Sequence, residues 1–77
     1  MNKTRRLQLD EIQSNLSELI SQLQAVLDDE QEVRDNVPEN LEFTERTETM
    51  EEHIDTMQTQ LDAMQEAQEG IEEIANS

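Results

Sequence analysis

The sequence predicts an all-α protein, an antiparallel helical hairpin of the coiled-coil type. Its apolar residues recur at alternating steps of three and four, which is the spacing of one face of a helix. The only strong helix breaker is Pro38, near the middle of the 77 residues. We therefore expect a single domain over residues 1–77, with a helix at about 5–35, a turn at about 36–43 and a helix at about 44–75.

The first helix carries an apolar stripe that begins at Leu9. With Leu9 at position a of a heptad, the a and d positions are Leu9, Ile12, Leu16, Leu19, Leu23, Val26, Glu30, Val33 and Val37. Ile20 and Leu27 fall at position e, beside these rows, and widen the stripe as helices in bundles require. Most of the stripe is therefore expected to face another helix.

The second helix repeats the same rhythm after a plausible start at Thr44, which is a good N-cap residue and is followed by an acidic first turn. Its a and d positions are Phe43, Thr47, Met50, Ile54, Met57, Leu61, Met64, Gln68, Ile71 and Ala75. Two further apolar residues, Ala67 and Ile74, fall at position g. This helix is also expected to bury one face.

The two apolar faces can be matched by turning the chain at Asn40, so that facing residue numbers add to 80. The apolar layers are then Leu9 with Ile71, Leu16 with Met64, Leu19 with Leu61, Leu23 with Met57, and Val26 with Ile54. The polar residues Glu30 and Thr47 would face Met50 and Val33 and are candidates for fixing the register. The rival architecture, one long helix in an intermolecular coiled coil, is disfavoured by Pro38.

Self-association is expected because a hairpin of this size buries little apolar surface on its own. In the register given above, Ile20, Leu27 and Ile74 stay partly exposed and are the predicted oligomer contact. The simplest product is a dimer that forms a four-helix bundle. Docking onto a different protein would cover the same surface.

Composition excludes several classes of function. The chain has 20 Asp and Glu against 5 Lys and Arg, a net charge of −15, so direct binding to nucleic acid is not expected. Without cysteine, neither a disulfide nor a thiolate metal site can form. No apolar run long enough for a membrane span and no secretion signal are visible, which predicts a cytoplasmic protein. No catalytic, cofactor or metal-binding constellation is found, and we expect a protein that is not an enzyme.

The negative charge is arranged differently on the two helices. Outward positions b and f of the second helix form a row of carboxylates that only Thr59 interrupts: Glu45, Glu48, Glu52, Asp55, Asp62, Glu66, Glu69 and Glu73. We call these eight residues the acidic row. The corresponding positions in the middle of the first helix are neutral. The acidic row is either a surface for a basic partner, held where nucleic acid would otherwise bind, or a solubilising face.

The basic residues cluster at the start of the first helix, at Lys3, Arg5 and Arg6. Their charge opposes the helix dipole there. In the predicted register they lie near acidic residues at the end of the second helix: Glu69, Glu72 and Glu73. The alternative is a disordered start.

The segment Asp35-Asn36-Val37-Pro38-Glu39-Asn40-Leu41, followed by Thr44-Glu45-Arg46, resembles the turn of small acidic two-helix proteins of Gram-positive phages and prophages. The general layout of the whole chain is similar, although Glu42-Phe43 replaces a more polar or glycine-containing loop. The resemblance implies a phage-encoded hairpin in a bacterial host cell. That family is largely without assigned function, but small acidic phage proteins often block host nucleic-acid enzymes or defence complexes. We therefore predict a DNA-mimic-like inhibitor or, as the alternative, an assembly element whose main contact is its own oligomer.

Overall fold

The protein is a hairpin of two long antiparallel helices, seen in a computed structural model that describes all 77 residues. Helix α1 spans Lys3–Asp35, a short 3-10 turn spans Glu39–Leu41, and helix α2 spans Glu45–Ala75. The Cα atoms fill a rod of 60 × 15 × 13 Å. The predicted helical hairpin is confirmed, and its helix bounds were correct to within two residues.

The ends of α1 follow from capping chemistry. Asn2 is the N-cap, and its side-chain oxygen accepts a hydrogen bond from the backbone N–H of Arg5 at 2.8 Å. The helix thus begins at Lys3, before the predicted start. It ends at Asp35 because Pro38 has no N–H and takes an extended backbone, with φ −58° and ψ 146°.

The start of α2 is built around two threonines. Thr44 is the N-cap, as predicted, and its Oγ1 accepts from the backbone N–H of Thr47 at 3.3 Å. The buried hydroxyl of Thr47 donates to the carbonyl oxygen of Leu41 at 2.9 Å. Thr47 therefore closes the connection between the helices. The predicted layer of Thr47 with Val33 is wrong, because Val33 is exposed.

Helix α2 buries the face that the heptad pattern predicts. Leu61, Met50 and Thr47 are buried, and Leu61 is only 1% exposed. The partly buried residues continue the same face: Ile54, Met57, Met64, Gln68, Ile71 and Ala75. Phe43, which the pattern placed on this face, instead lies in the connection and is 94% exposed.

Helix α1 presents a different face from the predicted one. Its buried and partly buried residues are Leu9, Gln13, Leu16, Ile20, Leu23, Gln24, Leu27, Glu30 and Arg34. These are mainly positions a and e, so α1 is rotated by about 50° from an a/d contact. The four predicted d residues, Ile12, Leu19, Val26 and Val33, are between 47% and 55% exposed. We call them the exposed apolar row.

Of the three residues of the predicted oligomer contact, only Leu27 is withdrawn from the surface. Leu27 is buried within the hairpin, and Ile20 is partly buried there. Ile74 is 48% exposed. The physical reason is the width of the α1 stripe, because the a row can be combined with either of its neighbouring rows, and the hairpin uses the e row.

The register also differs from the prediction. Arg34 contacts Glu51 and Arg6 contacts Ser77, and the paired residue numbers add to 85 and 83 rather than 80. The helices therefore pair as though the chain turned near residue 42, although the connection, residues 36–44, is centred on residue 40. This shift brings Leu23, rather than Leu19, level with Leu61. The five predicted apolar layers are displaced accordingly.

Candidate interaction surfaces

The acidic row lies on the outer face of α2. All eight of its carboxylates, listed above, are exposed. None takes part in an ion pair, since the ion pairs of the hairpin involve only Arg34, Glu42 and Glu51. The helix places these side chains at steps of three or four residues, so the row follows the rod for about 42 Å.

Few groups of the protein donate hydrogen bonds to the carboxylates of the acidic row. Asp62 accepts a hydrogen bond from the side-chain amide of Gln58 at 2.9 Å. At the interruption of the row, the hydroxyl of Thr59 donates to the backbone carbonyl of Asp55 at 3.0 Å and not to a carboxylate. Nearly all the hydrogen-bond acceptors of the acidic row are therefore open to a partner.

The opposite flank of α2 is free of carboxylates. Its exposed residues at positions c and g are Arg46, Thr49, His53, Thr56, Gln60, Ala63, Ala67, Gly70 and Ile74. The negative charge of α2 is thus confined to one side of the helix. A uniformly solubilised helix would carry charge on both flanks.

Arg34 neutralises two carboxylates next to the connection. Its Nη2 lies 2.6 Å from Glu42 Oε1 and 2.6 Å from Glu51 Oε1. The hydrogen bond with Glu42, followed by that with Glu51, raises the pKa of the Arg34 guanidinium above its ordinary value. This cluster was not predicted from the sequence. A signal was present, because Arg34 is the only basic residue between Arg6 and Arg46.

The basic start of α1 does not contact the residues predicted for it. Arg6 Nη2 donates to the main-chain oxygen of Ser77 at 2.8 Å. No ion pair forms with Glu69, Glu72 or Glu73, and the prediction of such a contact is wrong. The shifted register explains the difference, because it brings Arg6 level with the last residues of the chain. Lys3 and Arg5 also form no ion pair.

The exposed apolar row lies on the same side of the hairpin as the carboxylate-free flank of α2. At the connection, Val33 and Arg46 line one open depression of about 710 Å³, together with Val37, Leu41 and Met50. On the other side, Arg34 and Glu51 share a second depression with Asp55 of the acidic row. The rod therefore has an apolar side and an acidic side.

The hairpin contains neither a group of residues suited to a metal ion nor a helix suited to a membrane span. No group of three or more His, Cys, Asp or Glu side chains is arranged to hold a metal ion. Neither helix is both long and apolar enough to cross a membrane. No protein-family model, curated protein or solved structure matches the chain. The resemblance to phage proteins thus stays a prediction, and the candidate function depends on the two surfaces.

Proposed function

We propose that the chain is a non-enzymatic, phage-encoded interaction protein that acts in the cytoplasm of a bacterial host. Its acidic row occupies a basic surface of a partner protein, at the place where that partner binds nucleic acid. The protein is then a DNA-mimic-like inhibitor of a host or defence factor. The observation that carries this proposal is the confinement of unpaired, exposed carboxylates to one side of α2.

The arrangement of the row has an energetic cost that supports a functional role. Six pairs of neighbouring carboxylates in the row are three or four residues apart. Each such like-charge pair destabilises a helix by about 0.2–0.5 kcal/mol, or about 1–3 kcal/mol for the row. Mixed and scattered charges would keep the protein soluble without this cost. A partner with matching positive charge would remove the repulsion on binding.

The spacing of the charges suits a partner that recognises a polyanion. The row carries one carboxylate per about 6 Å on average, whereas one DNA strand presents a phosphate per about 3.4 Å. The acidic row therefore resembles a nucleic-acid strand in its length and in the sign of its charge, but it carries fewer charges per unit length. Binding should be fast and should weaken strongly with salt, because its attraction is long-ranged and solvent-exposed.

The test compares two variants that lose the same charge on different helices. In the first, four residues of the acidic row are neutralised: Glu52→Gln, Asp55→Asn, Asp62→Asn and Glu66→Gln. In the control, four exposed carboxylates of α1 are neutralised: Asp10→Asn, Glu11→Gln, Glu18→Gln and Asp29→Asn. Both changes take the net charge from −15 to −11. Each tagged variant is used to capture proteins from a Gram-positive lysate, with washes of increasing salt.

The expected result is that a basic nucleic-acid-binding protein is captured by the unmodified chain and by the α1 control, but not by the α2 variant. DNA added to the lysate should compete with this capture. Circular dichroism should show that the α2 variant keeps its helices or gains helicity. Equal loss in both variants would mean that only net charge matters, and unchanged capture by the α2 variant at low salt would exclude the proposal.

A second candidate function, an assembly element, is supported by a separate observation. The exposed apolar row leaves four large aliphatic side chains in solvent along one helix. Their alignment at steps of seven residues distinguishes them from scattered apolar surface residues and is the spacing of one row of a helix contact. In this function the hairpin dimerises into a four-helix bundle, and Leu19→Lys with Val26→Lys would give monomers. A mimic and a dimer are compatible, because the two surfaces lie on different sides of the rod.

A further inference from the structure

We infer that a second copy of this chain covers the exposed apolar row, with the two α1 helices antiparallel, Ile12 opposite the partner's Val33 and Leu19 opposite the partner's Val26. This inference rests on the self-association proposed above. It goes further by naming the helix that forms the contact, its direction and its register.

The first support is the geometry of the row. Its four residues are spaced by seven, so they lie on one line along α1 at intervals of about 10.5 Å and span about 32 Å. A two-fold axis between Leu19 and Val26 places the row of one copy on the row of the other. Each contact then occurs twice, as a symmetric dimer requires.

The second support is the charge distribution of α1, which selects the direction. Its first turns carry Lys3, Arg5 and Arg6, and no acidic residue occurs before Asp10. Its last turns are acidic, at Asp28, Asp29, Glu30, Glu32 and Asp35. Antiparallel packing sets the first half of each α1, residues 3–19, with three basic and three acidic residues, beside the acidic second half of its partner, residues 20–35. Parallel packing would set the two acidic halves together. Antiparallel helix dipoles also attract each other.

The unpaired basic residues fit the same arrangement. Lys3 and Arg5 form no ion pair within the hairpin. Arg5 continues the line of the exposed apolar row by one further step of seven. In the antiparallel register it lies past the end of the partner's α1, towards the connection that carries Glu39. The same chain thus supplies both the apolar surface and the opposite charges that flank it.

The third support is the size of the surface. The face that carries the row is two helices wide, because the carboxylate-free flank of α2 lies on the same side and takes part in the contact. Over the length of the row it measures about 32 by 20 Å, or about 650 Å². Contacts of the basic and acidic ends extend it towards the roughly 800 Å² per partner that a stable interface buries. The acidic row of each copy stays on the far side, so a dimer of two strongly negative chains does not bring these rows together.

The first experiment maps the contact by disulfide formation, which the chain permits because it has no cysteine. Leu19→Cys and Val26→Cys are made separately and oxidised alone or as an equal mixture. A linked dimer should form mainly in the mixture. In each variant alone, the two cysteines would be about 10.5 Å apart along the helix axes, whereas a disulfide needs Cα atoms within about 7 Å. Self-linking of Leu19→Cys as fast as the mixed reaction would overturn the antiparallel register.

The second experiment measures mass by sedimentation equilibrium from micromolar to millimolar protein. The unmodified chain of 9.0 kDa should form a dimer, and Leu19→Lys with Val26→Lys should remain a monomer at every concentration. The matched control, Ser14→Lys with Ser21→Lys, adds the same charge at the same spacing on another exposed side of α1 and should still dimerise. Circular dichroism confirms that all three are helical. Lys3→Glu with Arg5→Glu should weaken dimerisation about tenfold, since each exposed ion pair changes affinity by up to a few-fold.

The outcomes separate this inference from the functions proposed above. If the chain stays monomeric at all concentrations, both the inference and the assembly function are wrong, and the exposed apolar row is left as a contact for a different protein. A dimer that is insensitive to the lysine substitutions, or that links in the parallel pattern, overturns the inference alone. Neither result affects capture of a basic partner, which is measured through the α2 variants.

Discussion

Arg34 donates two hydrogen bonds to the same carboxylate oxygen of Glu51, from Nε at 2.9 Å and from Nη2 at 2.6 Å. Its Nη2 also donates to Glu42 in the connection at 2.6 Å. One side chain near the end of α1 therefore holds both the connection and the start of α2. This cluster, together with the hydrogen bond from Thr47 to Leu41, determines where the chain turns.

We predict that Arg34→Met lowers the thermal midpoint and speeds amide exchange from the connection through the first turns of α2. The substitution keeps an aliphatic stem in the interface but leaves Glu42 and Glu51 unpaired beside each other. The matched control is Arg46→Met, which removes an exposed arginine that forms no ion pair. Equal effects of the two substitutions would contradict a role for Arg34 in the register.

The effect of Arg34 should not depend on pH around neutrality. The pKa of its guanidinium is raised in the folded chain by its hydrogen bonds with Glu42 and Glu51. A raised pKa gives a stabilisation that is fully present below the unfolded value and is lost only as the pH rises through the folded value. For an arginine that loss lies far above neutral pH. The difference between Arg34→Met and the unmodified chain, measured by urea unfolding, should therefore be the same at mildly acidic and mildly basic pH.

The rotation of α1 predicts different costs for two leucines of the same helix. Leu27→Ala should destabilise the hairpin by about 2–5 kcal/mol at any protein concentration, because it opens a cavity between the helices. Leu19→Ala should cost less than about 1 kcal/mol in dilute, monomeric protein, because Leu19 is half-exposed. The destabilisation caused by Leu19→Ala should rise with protein concentration, because Leu19 becomes buried as the dimer forms. Urea unfolding at two concentrations measures both, and a larger cost for Leu19 in dilute protein would restore the a/d face of the sequence analysis.

The same pair of leucines illustrates how much the sequence could predict. The helices, the turn at Pro38, the cap at Thr44 and the buried face of α2 follow from local signals. The buried face of α1 does not, because its a row can pair with the d row of Leu19 or with the e row of Leu27, and both contain large aliphatic residues. What separates them is tertiary: the e row also carries Arg34, whose carboxylate partners come from the connection and from α2.

The candidate site was predicted unevenly for a related reason. The acidic row is exposed as the heptad positions b and f indicate, because outward positions depend only on the helix and on a correctly predicted face. Leu27 was wrongly placed in the oligomer contact, because that contact was obtained as the remainder of an α1 face that proved to be rotated. When a surface is predicted as the part of a helix that the core leaves uncovered, an error in the predicted core also misplaces the surface.

Thr47 offers a test of the connection that is independent of charge. Thr47→Val keeps the shape of the side chain and removes the hydroxyl that donates to Leu41. We expect a loss of about 1 kcal/mol, because a partly buried carbonyl loses its donor. Thr49→Val, on the exposed flank of α2, is the matched control and should change stability by less than about 0.5 kcal/mol. Urea unfolding of both variants gives the comparison.

Repulsion within the acidic row predicts an unusual response to salt. Screening of like charges should raise the thermal midpoint of the unmodified chain as the salt concentration increases. The variant that lacks four carboxylates of the row should start from a higher midpoint and gain less from salt. It loses four of the six like-charge pairs, a stabilisation of up to about 0.8–2 kcal/mol. Thermal unfolding by circular dichroism measures both effects. If the midpoint of the unmodified chain falls with salt, attraction dominates its electrostatics and the cost assigned to the row is wrong.

A carboxylate at the interruption of the acidic row should strengthen binding to a basic partner and should lower the stability of α2. Thr59→Glu sets a carboxylate between Asp55 and Asp62, and it removes the hydrogen bond from the Thr59 hydroxyl. The two new like-charge pairs should destabilise α2 by about 0.4–1 kcal/mol. Gln60→Glu adds the same charge at the next residue, on the carboxylate-free flank and with no carboxylate three or four residues away, and is the control. The assay measures how much of each variant displaces a DNA oligonucleotide from poly-lysine and from the captured partner.

If the row acts as a unit, Thr59→Glu should compete with DNA about two- to five-fold better than Gln60→Glu, which is the range for one added exposed charge pair. A continuous line of charge can follow an extended basic surface, whereas a carboxylate on the other flank faces away from it. The advantage should be larger on the captured partner than on flexible poly-lysine, which can reach both flanks. Equal competition by the two variants on the partner would show that the position of the charge around α2 does not matter.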